Sequence, residues 1–182
     1  MGCHLQEKRR QSRIGRARIS DDKEIRVKIY NQISKDMVIP ELESQTREGI
    51  IREMISFLKK RNKITKEKDL YDKLMQRENL GSTGIGSGVA IPHCKVKGIK
   101  NPIVMLGISK KGVDFLSLDH KPSHIFFLVV SSPDNPSVNL QILAAIAQLV
   151  RKAKNIISRI KEAENIDAVL EVIREEEDKL DE

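Results

Sequence analysis

The sequence predicts a three-layer α/β domain, in which helices cover both faces of a β-sheet. Apolar residues at helical spacing occur before and after a central region that contains three strand-like segments. The last of these segments, residues 125–131, is apolar on both faces, as expected for a central strand that is covered on both sides. The helical segments on either side of the strand region can supply the two covering layers.

The first half of the domain is predicted to contain two helices. Residues 37–42 form a short extended segment that leads to Ser44 and Thr46, and both of these residues are good helix caps. The helix that follows, from about residue 46 to residue 60, carries one apolar stripe: Ile50, Ile51, Met54, Ile55 and Leu58. Thr65 is the expected cap of a second helix, which the glycines that begin at Gly81 end.

Three strands and three helices are predicted in the second half. The strands are expected over residues 88–92, 103–109 and 125–131. After a loop rich in turn-forming residues, separate apolar stripes indicate three further helices. The stripes consist of Leu140, Leu143, Ala144, Ala147, Leu149 and Val150; of Ile156, Ile157 and Ile160; and of Ile166, Val169, Leu170 and Ile173.

Composition restricts the class of protein. With 182 residues, of which 39% are hydrophobic and 32% charged, the chain is long enough for one domain with a real core. Residues 1–24 are basic and poor in large apolar side chains, so they are predicted to be a mobile arm, and residues 25–182 to be the domain. No apolar run approaches the roughly 18 residues of a membrane span. Two cysteines supply neither a disulfide framework nor a zinc cluster, which favours a reducing cytoplasm.

The net charge of +7 suggests an anionic partner without identifying it. Local basic runs occur at residues 59–68 and 151–161, and most of this charge is interpreted as solvated helix faces. Aromatic residues make up only 3% of the chain and Trp is absent, so there is no stacking platform for single-stranded nucleic acid. A nucleic-acid surface made of the basic arm and residues 151–161 is the weaker alternative, and it would bind DNA with a steep salt dependence.

The region with the most chemical information is residues 77–94, in which four glycines and several hydroxyl residues precede a strand that ends in Pro-His. A P-loop is excluded because Ser87 stands where its lysine must reach the phosphate. A dinucleotide-binding fingerprint is excluded because Val89 stands at its third glycine and because the loop precedes a strand. His93 and Cys94 cannot activate each other, because neighbours in an extended chain point to opposite faces. What remains is a phosphate-binding loop beside a histidine.

The residue types of this loop fit phosphate binding and phosphoryl transfer. Backbone N–H groups near glycines can converge on an anion, hydroxyl groups can donate to it, and Arg77 offers a bidentate guanidinium. A neutral imidazole at His93 is a competent nucleophile for a phosphoryl group. No cofactor or metal is expected, because the loop has neither an Asp-rich metal site nor a nucleotide cradle. The candidate phosphate-binding residues in the loop are Ser82, Thr83, Gly84, Gly86 and Gly88.

Three parts of this region closely resemble one known family: Arg77-Glu78, Leu80-Gly81-Ser82-Thr83-Gly84-Ile85-Gly86 and Val89-Ala90-Ile91-Pro92-His93-Cys94. They are similar to the phosphorylation-site signature of the type 2 enzyme IIA domains of the bacterial phosphotransferase system, the fructose, mannitol and nitrogen-regulatory group. The order and spacing of the predicted elements from about residue 32 to residue 176 also resemble that family. The resemblance implies a mixed sheet of about five strands with helices on both faces.

The resemblance also implies roles and partners. His93 would accept a phosphoryl group at Nε2 from the histidine-containing phosphocarrier protein and would pass it to a cysteine of an enzyme IIB. Arg77 would neutralise the transferring group, and Ser82, Thr83 and the loop glycines would orient it. Such a transfer between two nitrogen nucleophiles needs mainly positioning and charge stabilisation.

One position departs from the family pattern. Members commonly carry a second histidine in a His-Leu pair near the start of the helix after the third strand, and this chain has Asn139-Leu140 there. Asn139 can form a hydrogen bond to His93 or to phosphate, but it cannot carry a positive charge. Two functions therefore stay open. One is phosphoryl transfer to an enzyme IIB, and the other is a regulatory module that docks on a transporter or kinase according to its phosphorylation state.

Overall fold

The computed structural model describes residues 26–182, and the predicted basic arm, residues 1–24, lies outside the described residues. The helices are α1 (Arg47–Lys60), α2 (Glu67–Asn79), α3 (Pro136–Lys152), α4 (Ile156–Glu162) and α5 (Ile166–Asp178). The strands are β1 (Val38–Ile39), β2 (Gly84–Gly86), β3 (Val89–Ala90), β4 (His93–Lys95), β5 (Ile103–Val113) and β6 (Ser123–Ser131). Within residues 26–182, no helix is long and apolar enough to cross a membrane.

The strands form one mixed, six-stranded sheet. Its order is β1-β5-β6-β3-β2, and β4 also pairs with β6. Strand β6 runs antiparallel to β5 and parallel to β3 and β4. Every side chain of β6 from Ile125 to Val130 is buried, whichever face of the sheet it points to. Helices therefore cover both faces of the sheet, and the predicted three-layer α/β architecture is confirmed.

The sheet has six strands, where the resemblance implies about five, because one extended segment is split in two. Strand β3 lies beside Ile125 and Phe126, and β4 lies beside residues 129–131 on the same edge of β6. Pro92, between the two strands, has no N–H group to donate, while its carbonyl oxygen accepts from the N–H of Val129 at 2.9 Å. The break places His93 at the first position of β4.

The two helices before the sheet have different starts. The hydroxyl of Thr46 accepts a hydrogen bond from the N–H of Gly49 at 3.1 Å, so the predicted cap of α1 is confirmed. The predicted cap of α2 at Thr65 is wrong, because Lys66 holds the cap position and no side chain caps this helix. The carbonyl of Thr65 instead accepts from Nζ of Lys59 at 2.9 Å.

The predicted apolar stripe of α3 is wrong in its first part, although Leu149 and Val150 at its end are buried as predicted. Leu140 is 65% exposed, and the buried residues of this helix are Asn139, Ile142, Ala145, Ile146, Leu149 and Val150. Apolar side chains occur on both faces of α3, so the apolar spacing fits either orientation. The observed orientation turns Asn139 inwards and leaves Leu140 at the surface beside His93.

Candidate functional site

His93 has one ring nitrogen fixed by the backbone. Its Nδ1 lies 2.7 Å from the carbonyl oxygen of Ile91, two residues earlier in the chain. Because a carbonyl oxygen only accepts hydrogen bonds, Nδ1 carries the ring proton and donates it. The neutral ring of His93 therefore has its lone pair on Nε2.

Arg77 faces this lone pair from the last turn of α2. Its Nε donates to Nε2 of His93 at 3.3 Å, and its Nη1 donates to the carbonyl oxygen of Gly81 at 2.9 Å. The second hydrogen bond fixes the guanidinium beside the loop that follows α2. The predicted pairing of Arg77 with His93 is thus present as a direct contact.

Burial is the largest influence on the pKa of His93, and it lowers this pKa. The hydrogen bond to the carbonyl of Ile91 raises the pKa, and the positive charge of Arg77 lowers it. The resulting pKa lies below the ordinary value for histidine. The ring is therefore neutral at neutral pH, which is the state in which Nε2 can act as a nucleophile.

Glu78 belongs to the hydrogen-bond network around His93, and the sequence alone assigned it no role. It is only 2% exposed, and its carboxylate accepts from the N–H of Thr83 at 2.8 Å and from the hydroxyl of Thr83 at 2.6 Å. The carbonyl of Thr83 in turn accepts from the N–H of Ile91 at 3.0 Å. Glu78 thus fixes the position of Thr83, and Thr83 fixes the backbone of Ile91. The carbonyl oxygen of Ile91 in turn orients the ring of His93.

A signal for Glu78 exists in the sequence. Leu70, Leu74 and Glu78 follow each other at intervals of four residues, and all three are buried on one face of α2. A carboxylate on an apolar helical stripe needs hydrogen-bond donors when it is buried. Two hydroxyl residues follow α2 within five positions of Glu78, and one of them, Thr83, supplies the donors.

The hydroxyl groups of Ser82 and Thr83 donate to protein acceptors. Ser82 donates to the carbonyl oxygen of Phe115 at 2.6 Å, and its oxygen accepts from the N–H of Gly84 at 3.0 Å. Thr83 donates to the carboxylate of Glu78. In this structure both hydroxyl protons shape the loop, and neither is directed to His93.

The three loop glycines, Gly84, Gly86 and Gly88, are separated from His93 along the direction of the strands. Val89, which follows Gly88, is in register with Ile125, whereas His93 is in register with Val129. Four residues of β-strand span about 13 Å. Gly86 and Gly88 have φ values of +87° and +77° and form the turn between β2 and β3. The structure therefore does not bring Gly86 or Gly88 to His93.

Gly84 serves close packing. A Cβ atom at this position would lie 2.3 Å from Oγ and 2.9 Å from Cα of Ser117. Real side chains do not approach so closely, so only glycine fits between β2 and the segment that contains Ser117. The predicted phosphate-binding residue is thus observed in a packing role.

A cavity of about 460 Å³ opens beside His93. Asn139 lines it, and its side chain is 5% exposed and accepts a hydrogen bond from the hydroxyl of Ser131 at 3.0 Å. The rim is partly apolar and partly cationic: Leu80, Leu140, Leu143, Lys73 and Lys95 line it together with Arg77. The structure thus brings His93, Arg77 and Asn139 to one cavity.

Other potentially reactive side chains have separate roles. Burial raises the pKa of the Cys94 thiol to about 12, so this neighbour of His93 is not a thiolate at neutral pH. His124 forms a hydrogen bond through Nδ1 with the carbonyl oxygen of Ser109 at 2.9 Å. Within residues 26–182, no group of three or more His, Cys, Asp or Glu side chains is arranged to hold a metal ion.

Several solved structures with a similar fold contain IIA proteins. A nitrogen regulatory protein IIA-Ntr from Neisseria meningitidis matches with a TM-score of 0.70 and 24% identity, over 80% of this chain and 98% of that one. IIA mannitol from Escherichia coli matches with a TM-score of 0.66 and 18% identity, over 78% of this chain and 98% of that one. A third solved structure, with a TM-score of 0.65 and 18% identity, is the complex of the Escherichia coli enzyme IIA mannitol with phosphorylated enzyme IIB mannitol; the match covers 79% of this chain and 97% of that one.

Relatives found by sequence are named fructose-specific EIIABC or EIIA components or nitrogen regulatory proteins. The fructose-specific EIIABC component of Bacillus subtilis is 33% identical over 82% of this chain, which spans 23% of that relative's length. The fructose-specific EIIA component of Haloferax volcanii is 28% identical over 71% of this chain and 84% of its own length. The nitrogen regulatory protein of Pseudomonas aeruginosa is 32% identical over 57% of this chain and 67% of its own length.

A family model matches most of the chain. It covers residues 31–176, which include the whole described sheet and the pair formed by Arg77 and His93. Its description is "Phosphoenolpyruvate-dependent sugar phosphotransferase system, EIIA 2". The chain therefore belongs to the EIIA type 2 family of the phosphoenolpyruvate-dependent sugar phosphotransferase system.

Proposed function

We propose that the protein is a phosphoryl carrier that accepts a phosphoryl group on Nε2 of His93 from the histidine-containing phosphocarrier protein and passes it to an enzyme IIB. The observation that carries this proposal is the state of the ring. Nδ1 is occupied by its proton and by the carbonyl of Ile91, and Nε2 presents a lone pair to the guanidinium of Arg77. The proposal places the protein in the cytoplasm, where a free thiol such as that of Cys94 stays reduced.

The transfer replaces one phosphorus–nitrogen bond with another. The lone pair on Nε2 attacks phosphorus while the bond to the donor imidazole breaks, and the electron pair of that bond returns to the donor ring. Nδ1 keeps its proton, so the hydrogen bond to Ile91 continues to orient the phosphorylated ring. In the second step, a cysteine thiolate of enzyme IIB attacks phosphorus, and the electron pair of the phosphorus–nitrogen bond returns to Nε2.

Arg77 stabilises the charge of the group in transfer. Its Nε–H donates to the lone pair of Nε2 in the free protein and must leave that lone pair when phosphorus approaches. A phosphoryl oxygen next to Nε2 is the acceptor that replaces it, and this gives a charge-assisted hydrogen bond. The ammonium groups of Lys73 and Lys95 line the same cavity and add to the positive potential there.

The rim of the cavity supplies a docking surface for donor and acceptor proteins. Leu80 and Leu140 are 83% and 65% exposed, and both line the cavity of His93. Large apolar side chains that flank a reactive group at the surface favour burial against a partner. Burial of this rim would also exclude water, which protects the phosphohistidine from hydrolysis.

A phosphorylation assay tests this proposal. Incubation with enzyme I, the phosphocarrier protein and phosphoenolpyruvate should add one acid-labile phosphoryl group to the protein. His93→Ala should abolish the labelling, and the matched histidine variant His124→Ala should retain it, because His124 has a structural hydrogen bond to the carbonyl of Ser109. Labelling that persists in His93→Ala would refute the assignment.

A second function shares the same chemistry and is favoured by two observations. Several relatives are named nitrogen regulatory proteins, and this chain matches 94% of the length of the one from Bradyrhizobium diazoefficiens. The uncharged Asn139 holds the position of the family's second histidine. In this second function the protein docks on a transporter or kinase in one phosphorylation state and transfers little phosphate to sugar.

Pull-down experiments distinguish the two functions. Phosphorylated protein and the His93→Ala variant are used as separate baits. Recovery of an enzyme IIB would support transfer to sugar, and a transporter or kinase bound to one bait only would support regulation. A sugar-specific IIB and IIC pair encoded beside the gene is a further observation that favours transfer.

A further inference from the structure

A second cavity, of about 710 Å³, lies next to the site of His93 and has no role in the proposed transfer. It is formed by the turn between α1 and α2, the first turns of α2 and the loop between β4 and β5. Its volume lies within the range of cavities that bind small molecules and cofactors, roughly 300–1,000 Å³. It is also larger than the cavity at His93.

The charge of this cavity is strongly positive. One carboxylate, that of Asp69, lies in the lining, against five ammonium groups: Lys63, Lys66, Lys73, Lys95 and Lys97. Among the salt bridges of residues 26–182, none involves any of these five lysines. A concave surface with several uncompensated charges of one sign concentrates ions of the opposite sign. The cavity is therefore suited to a small molecule with several negative charges.

Apart from Thr65, the remaining side chains of the lining are apolar. They come mainly from the turn before α2, from α2 itself and from the loop after β4: Ile64, Leu70, Val96 and Ile99. A purely ionic ligand such as phosphate gains nothing from these side chains. A ligand that has both phosphate groups and an apolar ring would use the lysines and the apolar surface at the same time.

We propose that this cavity binds a nucleotide, with its phosphate groups on the lysines and its base on the apolar lining. The volume fits a mononucleotide and greatly exceeds what a single phosphate needs. The basic run at residues 59–68, for which the sequence pattern favours a solvated helix face, contributes two of the five lysines, Lys63 and Lys66.

The nucleotide cavity is a direct neighbour of the phosphorylation site. Lys73 and Lys95 line both cavities. A nucleotide that neutralises these two lysines lowers the positive potential beside His93. The site is thus placed to make the reactivity of His93 respond to a nucleotide.

Fluorescence anisotropy tests the proposal directly. The probe is N-methylanthraniloyl-ADP in the presence of EDTA, added to the intact protein, which contains no Trp and has little fluorescence of its own. Lys63→Glu/Lys97→Glu should weaken binding about tenfold or more, which corresponds to about 1.4 kcal/mol. The matched control Lys110→Glu/Lys111→Glu makes the same change in net charge at exposed lysines of β5 and should bind the probe as the unmodified protein does.

Competition experiments identify the class of ligand. Unlabelled ADP should displace the probe, and inorganic pyrophosphate and adenosine should each do so at much higher concentrations only. Equal displacement by pyrophosphate would overturn the inference, because the base would then contribute nothing. Tighter competition by a single-stranded oligonucleotide would overturn it in favour of a nucleic-acid surface. No binding of the probe, or equal losses in both double variants, would also overturn it.

Discussion

The hydroxyl of Thr83 is the most informative group to remove. It donates to the carboxylate of Glu78 at 2.6 Å in the core, where Thr83 is 4% and Glu78 is 2% exposed. Thr83→Val keeps the shape of the side chain, removes the donor and leaves a buried carboxylate oxygen without this partner. A hydrogen bond to a charged group contributes about 1.5–3 kcal/mol, so we expect the free energy of unfolding to fall by about 2 kcal/mol.

Thr83→Ser is the matched control. It keeps the hydroxyl and removes one methyl group, which costs about 0.8 kcal/mol. Urea unfolding followed by circular dichroism measures both variants, and a loss of about 2 kcal/mol should also lower the Tm of Thr83→Val by about 4–8 °C. Equal losses in the two variants, or no loss in Thr83→Val, would contradict a stabilising hydrogen bond from the hydroxyl to Glu78.

The same pair of variants decides between two roles of Thr83. The backbone N–H and carbonyl of Thr83 keep their hydrogen bonds to Glu78 and Ile91 in either variant. If the hydroxyl only holds the loop, the rate of His93 phosphorylation per folded molecule should be unchanged in Thr83→Val. A slower rate in Thr83→Val that Thr83→Ser restores would instead show that the hydroxyl contacts the phosphoryl group.

Three other measurements test the geometry around His93 and Gly84. Arg77→Lys should slow phosphorylation of His93 about tenfold or more, because a lysine keeps the charge but loses the planar fork, and equal initial rates of labelling would contradict this. The pKa of His93, measured by NMR titration, should lie below its value in the unfolded chain. Since the unfolded chain then binds this proton more tightly, the free energy of unfolding should decrease as the pH falls below about 6.5, and less so in His93→Gln. Gly84→Ala should destabilise the protein by about 1–3 kcal/mol in urea unfolding, because its Cβ would overlap Ser117.

The features that the sequence predicted correctly depend on local chemistry. The cap at Thr46 and the apolar stripe of α1 are set by neighbours in the chain, and both are present. The three-layer architecture follows from a strand that is apolar on both faces. The contact between Arg77 and His93 was expected because the spacing of the whole loop resembles a known signature, although the two residues lie sixteen positions apart.

The features that the sequence did not predict depend on tertiary partners. Helix α3 has two apolar faces, and the buried one is the face on which Asn139 meets the hydroxyl of Ser131, a residue eight positions earlier in the chain. Gly84 is required by its contact with Ser117, which lies in a different part of the chain. Neither Ser131 nor Ser117 can be identified as a partner from spacing alone, because the packing of α3 on β6 determines the first contact and the path of the segment between β5 and β6 determines the second.

Two adjacent residues at the end of α2 are connected to His93 by different routes. Successive residues of a helix point about 100° apart, so Arg77 faces the cavity while Glu78 faces the core. Glu78 acts through Thr83 and Ile91 on the proton at Nδ1, and Arg77 acts directly on Nε2. A shift of α2 would therefore disturb both nitrogens of the ring together.

This arrangement makes one site suitable for both proposed functions. In the free protein, Nε2 and Arg77 present a cationic surface beside the exposed side chains of Leu80 and Leu140. Phosphorylation of Nε2 adds about two negative charges at the same place and gives Arg77 an anionic partner. An enzyme IIB that takes the phosphoryl group and a transporter or kinase that reads it would dock on the same apolar rim, and the local charge of this rim differs between the two phosphorylation states. The choice between transfer and regulation therefore lies in the partner that docks on this rim, and the chemistry at His93 is common to both.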